Sequence, residues 1–353
     1  MFEAQRNALA VGIDLGTSRS SVSVSNGQRH VVDSYVGYPI DMVARKVLKK
    51  PVLIGREALD NRSMVHLYRP LEEGLIREGS AKDEAAVREL LQHLLRLAGA
   101  DAASRNGAKV RAVVGVPAET LRTNKQQVRK AMSGLVDSLM IVSEPFAVAY
   151  GLEALLHTMI IDSGAGTTDF CVMKGRLPTE EEQRTLTTAG DWIDAQLYRL
   201  VKAHHPDASF SIHMVRDWKE HWSFVGEPIT QVRVTVPVSG RPTEIDITGE
   251  MRQACEGILP SMTETMIDLL SRVEPEYQEK VRQNVILAGG SALIGGLGQY
   301  LQRELNEVGG GRVRVVKDPV FSGSDGGLAI AQDAPDEDWE RLTGAAPPLP
   351  AGA

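Results

Sequence analysis

Ile161-Asp162-Ser163-Gly164-Ala165-Gly166-Thr167-Thr168-Asp169 has the form of an extended strand that ends on an aspartate, turns on small residues and sets off again with hydroxyl-bearing ones. The same order of parts occurs earlier, at Gly12-Ile13-Asp14-Leu15-Gly16-Thr17-Ser18. Two such hairpins in one chain are an internal duplication. Glycines let backbone N–H groups approach phosphate oxygens with no Cβ in the way. Gly16, Gly164, Ala165 and Gly166 are therefore the expected phosphate-binding backbone, and Thr17, Ser18, Thr167 and Thr168 add hydroxyl donors. Asp14 and Asp162, each at a strand end, suit Mg²⁺ held through its water shell, because magnesium keeps several waters and needs few protein ligands.

Other nucleotide and catalytic signatures are missing. No Gly-x-x-x-x-Gly-Lys-Ser/Thr segment occurs, and Gly290 to Gly296 lacks the lysine, so this is not a P-loop protein. Gly164-Ala165-Gly166 has no third glycine and sits in a hairpin instead of opening a helix, which excludes the dinucleotide fingerprint. His204, His205, His213 and His221 match no zinc spacing. The lipase-type Gly-x-Ser-x-Gly is absent, and neither Cys171 nor Cys255 carries a nucleophile signature.

Outward from the hairpins, the chain alternates strands with helices. Leu9 to Leu15, Ser20 to Ser25 and Arg29 to Val36 read as strands, with Asn26-Gly27 as a hairpin turn. Val87, Leu90, Leu91, Leu94 and Leu97 recur at helical spacing over Asp83 to Ala98. A strand over Val110 to Val116, a helix over Leu121 to Val136, a strand over Leu139 to Ser143 and a helix over Pro145 to Leu156 follow. The pattern then restarts: His157 to Ser163 and Thr168 to Lys174 pair, Trp192 to Ala203 is helical, and Val232 to Val238 with Glu244 to Ile247 are extended. Glu250 to Val273 is expected to be a long helix, interrupted or bent near Pro260. A strand over Asn284 to Ala288 leads to a helix over Leu297 to Val308. This alternation predicts an α/β protein with a parallel or mixed sheet.

Composition agrees. The chain has 353 residues, 42% of them hydrophobic, enough for two domains of ordinary size. Acidic residues outnumber basic ones, 46 to 39, and no long Lys/Arg run occurs, so nucleic acid is not an expected partner. Two cysteines in apolar surroundings fit a reducing, cytoplasmic compartment. Met1 to Ala10 lacks a signal-peptide pattern, and no apolar run reaches membrane-spanning length.

Taken together, the sequence resembles the actin, sugar-kinase and heat-shock ATPase superfamily and, within it, the bacterial actin-like filament proteins of the cell-shape and magnetosome types. The resemblance runs from about Val11 to about Ala331. Its pieces are the two hairpins, Val114-Gly115-Val116-Pro117, Val142-Ser143-Glu144-Pro145-Phe146, Ala189-Gly190-Asp191, Val215-Arg216-Asp217-Trp218-Lys219-Glu220 and Leu287-Ala288-Gly289-Gly290-Ser291. Val36-Gly37-Tyr38-Pro39, Ser223-Phe224-Val225-Gly226 and Val316-Lys317-Asp318-Pro319 give it the magnetosome flavour.

This resemblance implies an actin-like fold: two RNase H-like domains closing on ATP, one over residues 1–156 with 320–343, the other over 157–319, and a disordered tail at 344–353. It implies that Glu144 orients the attacking water, that Asp14 and Asp162 serve catalysis through Mg²⁺, and that Gly190, Lys219, Glu220, Gly289, Gly290 and Ser291 contact adenosine. Phosphoryl transfer needs positioning and charge stabilisation more than covalent help, so such a set suffices. The implied function is an ATP-hydrolysing cytoskeletal filament whose partners are further copies of itself and organelle- or membrane-associated adaptors. Each residue also has a plainer reading. Glu144 suits any helix start, Lys219 and Glu220 suit a solvated pair, and the glycine-rich segment suits a tight strand-to-helix connection. A monomeric adaptor or chaperone of the same superfamily stays open as the alternative. A small-molecule kinase lacks a defensible catalytic aspartate.

Overall fold

The computed structural model describes residues 8–76, 81–120 and 122–342. The amino-terminal residues 1–7 and the tail expected at 344–353 lie outside that set. The chain forms two compact units, Met1–Ala154 with Val320–Ala353, and Leu155–Pro319.

The first unit is built on a five-stranded sheet of β1 (Ala8–Asp14), β2 (Arg19–Val24), β3 (Arg29–Asp33), β4 (Lys109–Val116) and β5 (Ser138–Ser143), in the order β5-β4-β1-β2-β3. β1, β2 and β3 pair antiparallel, whereas β4 lies parallel to both β1 and β5. Strand side chains alternate between faces. Val11, Ile13, Val110, Ala112 and Val114 bury with Val87, Leu90, Leu91 and Leu94 of the helix Ala81–Leu97. Ala10, Val113 and Met140 point to the opposite side, where Ala147, Ile330, Ala331 and Trp339 cover them. The sheet is thus apolar on both faces, which explains the near-continuous Val/Ala run in β4.

The second unit repeats this plan with β6 (Leu156–Ser163), β7 (Thr168–Lys174), β8 (Gln183–Leu186), β9 (Val285–Ala288) and β10 (Val313–Val315), in the order β8-β7-β6-β9-β10. Again the first three strands are antiparallel and the last two join in parallel. Its core gathers Ile161, Phe170, Ile193, Leu197, Met251 and Leu287. Cys171 and Cys255 are free and buried, and burial pushes the Cys255 thiol up to about 12.

Several expectations are corrected. The third strand stops at Asp33; Val36–Pro39 instead pairs with Leu53–Ile54 and Val65–Tyr68 in a separate small sheet. The hairpin turn expected at Asn26-Gly27 does join β2 to β3; only the glycine takes positive φ, +86°, and Val24 N–H reaches Gln28 O across a longer loop than two residues. The helix expected over Pro145 to Leu156 is Glu144–Gly151, since Glu153 and His157 both turn left-handed before β6 is under way. The expected long helix is two, Thr248–Glu256 and Leu259–Ser271. The break lies at Gly257, where a Cβ would meet the Trp192 ring at 2.5 Å, and Pro260 sits in the first turn of the second helix, where its missing N–H costs nothing. The other hairpin is Arg233–Val238 with Arg241–Asp246. Among the described residues no helix is long and apolar enough to cross a membrane.

Candidate functional site

In the first unit β1 delivers Asp14 to the end of the sheet. Its register partner on β4 is Gly115, which in turn pairs with Val142 of β5. Glu144 follows β5 directly and opens the helix Glu144–Gly151, with Pro145 in its first turn. Asp14 and Glu144 therefore leave the same end of one sheet. A Cβ on residue 115 would come within 3.3 Å of Glu144 Cγ, so glycine there gives the glutamate its room.

The turn after Asp14 has its carbonyls claimed from behind. Ser34 Oγ donates to Gly16 O at 2.7 Å, Arg69 Nε to Thr17 O at 3.0 Å, and Ser34 N to Ser18 O at 2.8 Å. In a trans peptide the following N–H points the opposite way, so the Thr17 and Ser18 amides face away from these partners. Thr17 is buried, and its Oγ1 accepts from Gly74 N at 2.9 Å while keeping its own proton for donation.

The second hairpin follows the same logic with different partners. Gly164 N donates to Thr167 O at 2.8 Å, closing the turn. Gly164 O accepts from Gly190 N at 3.2 Å and from Ser291 Oγ at 3.0 Å, and Ala165 O accepts from Asp191 N at 2.7 Å. The amides of Ala165 and Gly166 are thereby turned outward. Thr167 is buried, and Thr168 is fully buried with its hydroxyl 3.0 Å from Ser163 Oγ, a contact that fastens the hairpin. Asp162 stands opposite Ala288 of β9, and the chain then passes Gly289 at φ +81°. A Cβ on Gly289 would lie 2.5 Å from Asp162 Oδ1, so only glycine lets the loop back this carboxylate so closely. Gly290 begins the 3-10 turn Gly290–Leu293, and Ser291 within it is buried.

Lys219 lies on the helix Ile212–Trp222. Its Nζ donates to Gly190 O at 2.7 Å and sits 2.8 Å from Asp194 Oδ1, a charge contact off the line of a hydrogen bond. Arg216 Nε reaches Asp194 Oδ2, and its Nη2 reaches Asp191 Oδ1, both at 3.1 Å. With side chains 12% exposed for Lys219 and 2% for Asp194, this is an interior ion cluster, and the solvated pair fails for Lys219. Glu220 is exposed. Asp191, Asp194 and Arg216 escaped the sequence reading as a group. Their signal is spacing: Asp191 and Asp194 share one helix face at i and i+3, as do Arg216 and Lys219, with opposite charge.

Of the expected residues in the second unit, Gly190 and Ser291 bear on the Gly164 turn, Lys219 bears on Gly190, and Gly289 bears on Asp162, whereas Glu220 is exposed. Each aspartate has a backbone cradle that a Cβ would fill, Gly289 behind Asp162 and Gly323 behind Asp14. Carboxylates so placed are hard oxygen donors that suit magnesium.

Comparison with known proteins gives these features a family. Residues 8–337 match the MreB/Mbl protein family. The chain is 38% identical over 337 residues to the actin-like protein MamK of Paramagnetospirillum magneticum, covering 96% of each, and 38% identical to that of Magnetospirillum gryphiswaldense, covering 96% of this chain and 92% of the relative. Among solved structures, a MamK double helical filament aligns with a TM-score of 0.88 at 38% identity, covering 93% of this chain and all of the other. A non-polymerising MamK mutant bound to AMPPNP aligns at 0.70 with the same identity, covering 93% and 99%. The fold is accordingly actin-like, and this chain belongs to the MreB/Mbl family of actin-like proteins.

Proposed function

We propose that the protein binds ATP with Mg²⁺, hydrolyses it and polymerises into cytoplasmic filaments that organise a cellular structure such as magnetosomes. The observation that carries the nucleotide reading is the convergence on Gly164: the Gly190 amide and the Ser291 hydroxyl tie two expected adenosine segments to one phosphate turn. The amides of the two turns, with Thr17, Ser18, Thr167 and Thr168, are the phosphate donors. Gly190, Lys219, Glu220, Gly289, Gly290 and Ser291 form the adenosine side. Asp14 and Asp162 hold the ion, which when bound neutralises charge on the phosphates. Glu144 orients the attacking water.

Assembly draws support from relatives whose structures are filaments over the same length of chain. A contact that repeats head to tail without closing yields an open filament. In the first unit the helix Met42–Leu48 buries only Ala44 and leaves Met42, Val43 and Val47 82%, 62% and 60% exposed. We place one side of the subunit contact there, with a second copy of this chain as occupant. Adaptor proteins are the further partners this reading allows. Electron microscopy of the purified protein with ATP and Mg²⁺ tests it, and a protein that stays monomeric at every concentration would favour a monomeric adaptor instead.

A further inference from the structure

The helix Ser322–Asp333 crosses β1 at two glycines. A Cβ on Gly12 would run into the Ser324 carbonyl oxygen and lie close to Leu328 N, so here backbone touches backbone. One turn nearer the start of the helix, a Cβ on Gly323 would lie 2.8 Å from Asp14 Oδ2 and 2.9 Å from its Cγ. Asp14 thus rests its carboxylate against the first turn of this helix, with no side chain in between.

The helix has no freedom to retreat. Ser21 and Ser23 of β2 stand directly opposite Asp14 and Gly12 in the hairpin register and share one face. Ser21 Oγ donates to Ser324 Oγ at 2.9 Å, Ser324 Oγ lies 3.0 Å from Ser23 Oγ, and Ser23 Oγ donates to Asp325 Oδ1 at 2.6 Å. Each hydroxyl has one proton to give: Ser21 gives its proton to Ser324 and Ser23 gives its proton to Asp325, while Ser324 Oγ has both Ser23 Oγ and, at 3.3 Å, the Phe321 carbonyl oxygen as acceptors. The three serines are buried, and Arg29 closes the chain on Asp325 Oδ2 at 2.6 Å while lying over the Phe321 ring at 5.4 Å. Anything added at residue 323 must therefore displace Asp14 or break these hydrogen bonds, since they hold the helix down on the face that carries Asp14.

We infer that Gly323 and the Ser21–Ser324–Ser23–Asp325 chain are positioning elements for Asp14, setting where its carboxylate meets the magnesium of a bound nucleotide. This rests on the nucleotide reading above. Partners behind a metal-holding residue typically change metal affinity ~10- to 100-fold when altered.

The test measures AMPPNP affinity of the full-length protein by calorimetry, in Mg²⁺ and in EDTA, alongside thermal unfolding. Gly323→Ala is expected to reduce the gain in affinity that Mg²⁺ provides by ~10-fold or more, with affinity in EDTA unchanged. Alanine is the better helix former, so a purely local role predicts equal or higher thermal stability with normal Mg²⁺ gain. Adding Ser324→Ala should return part of the gain, because the unpinned helix can back away, and that non-additivity marks coupling through Asp14. Ser324→Ala alone, which removes no volume needed by the strand, should lower the Mg²⁺ gain several-fold and serves if Gly323→Ala folds poorly. The inference is overturned if these variants keep the wild-type Mg²⁺ gain, or lose affinity equally in Mg²⁺ and EDTA. Asp14→Ala run in parallel separates the two levels: if it too keeps the full gain, the nucleotide reading itself has failed.

Discussion

The two hairpins share strand order, pairing sense and an aspartate at the end of the first strand, yet different structures stand behind that aspartate. Asp14 is backed by the start of a helix, pinned through two buried serines that lie 303 and 301 positions from their partner Ser324. Asp162 is backed by a loop, the left-handed Gly289 between β9 and the next turn. The turn carbonyls differ likewise. In the first unit they are held by Ser34 and Arg69, and in the second by the very segments expected to meet adenosine. Duplication therefore accounts for the strand topology, while the contacts behind each turn differ: in the proposed division the second unit takes nucleoside recognition, and the first has Glu144 after β5, a position where the second unit has Val316 and Lys317 after β10.

The sharpest way to break this division is Glu144→Ala. A group that orients or deprotonates water contributes ~10² to 10⁴ in rate, so phosphate release should fall by that order while AMPPNP binding by calorimetry stays near wild type. Lost binding would mean that Glu144 is structural. Next in size is Lys219→Met, which leaves the interior Asp194 with Arg216 alone. Removing one partner of a buried ion pair costs about 3 to 5 kcal/mol, and the remaining arginine should hold the loss, read from urea unfolding, at the lower end. A loss below about 1 kcal/mol would show that the cluster is wetter than its burial indicates.

Gly289→Ala sharpens the contrast between loop and helix. The added residue must accept positive φ, a strain of about 1 to 3 kcal/mol, and its Cβ also meets the Ser163 carbonyl oxygen and Asp162 Oδ1, so the second unit should melt earlier. Gly323→Ala should cost less, because it sits in a helix at an ordinary φ and its Cβ meets the Asp14 side chain instead of backbone. Similar thermal shifts for both would erase the distinction. Ser291→Ala is smaller still: one hydrogen bond to Gly164 O is lost, worth about 1 kcal/mol, and ATP affinity should drop by no more than about tenfold. Smallest is the thiol response. With Cys255 pushed up to about 12 and Cys171 also raised by burial, almost no thiolate exists at neutral pH, so a thiol reagent should label neither cysteine until the protein unfolds.

Much of this was legible in sequence because it is local. Asp-x-Gly turns, β-branched strands and the 3.6-residue stripe from Val87 to Leu94 announce themselves within a few residues. What escaped depends on partners far along the chain. Nothing near Ser21 or Ser23 announces Ser324, and Gly12 looks like an ordinary strand glycine until the helix lies against it. The ion cluster around Lys219 is likewise hidden, because the sequence shows Glu220 beside it and not Asp194. The interruption expected near Pro260 falls at Gly257, and the Trp192 ring that leaves no room for a Cβ there is a distant partner the local sequence does not show.

The central claim, that this chain is an ATP-dependent filament former, is tested most directly by sedimentation and electron microscopy of the same samples across a concentration series with MgATP and with EDTA. Filaments are expected above a threshold concentration in MgATP, and they should fail to form when Met42 and Val43 are both changed to aspartate. Monomers at every concentration and salt in MgATP, with tight nucleotide binding retained, would contradict it.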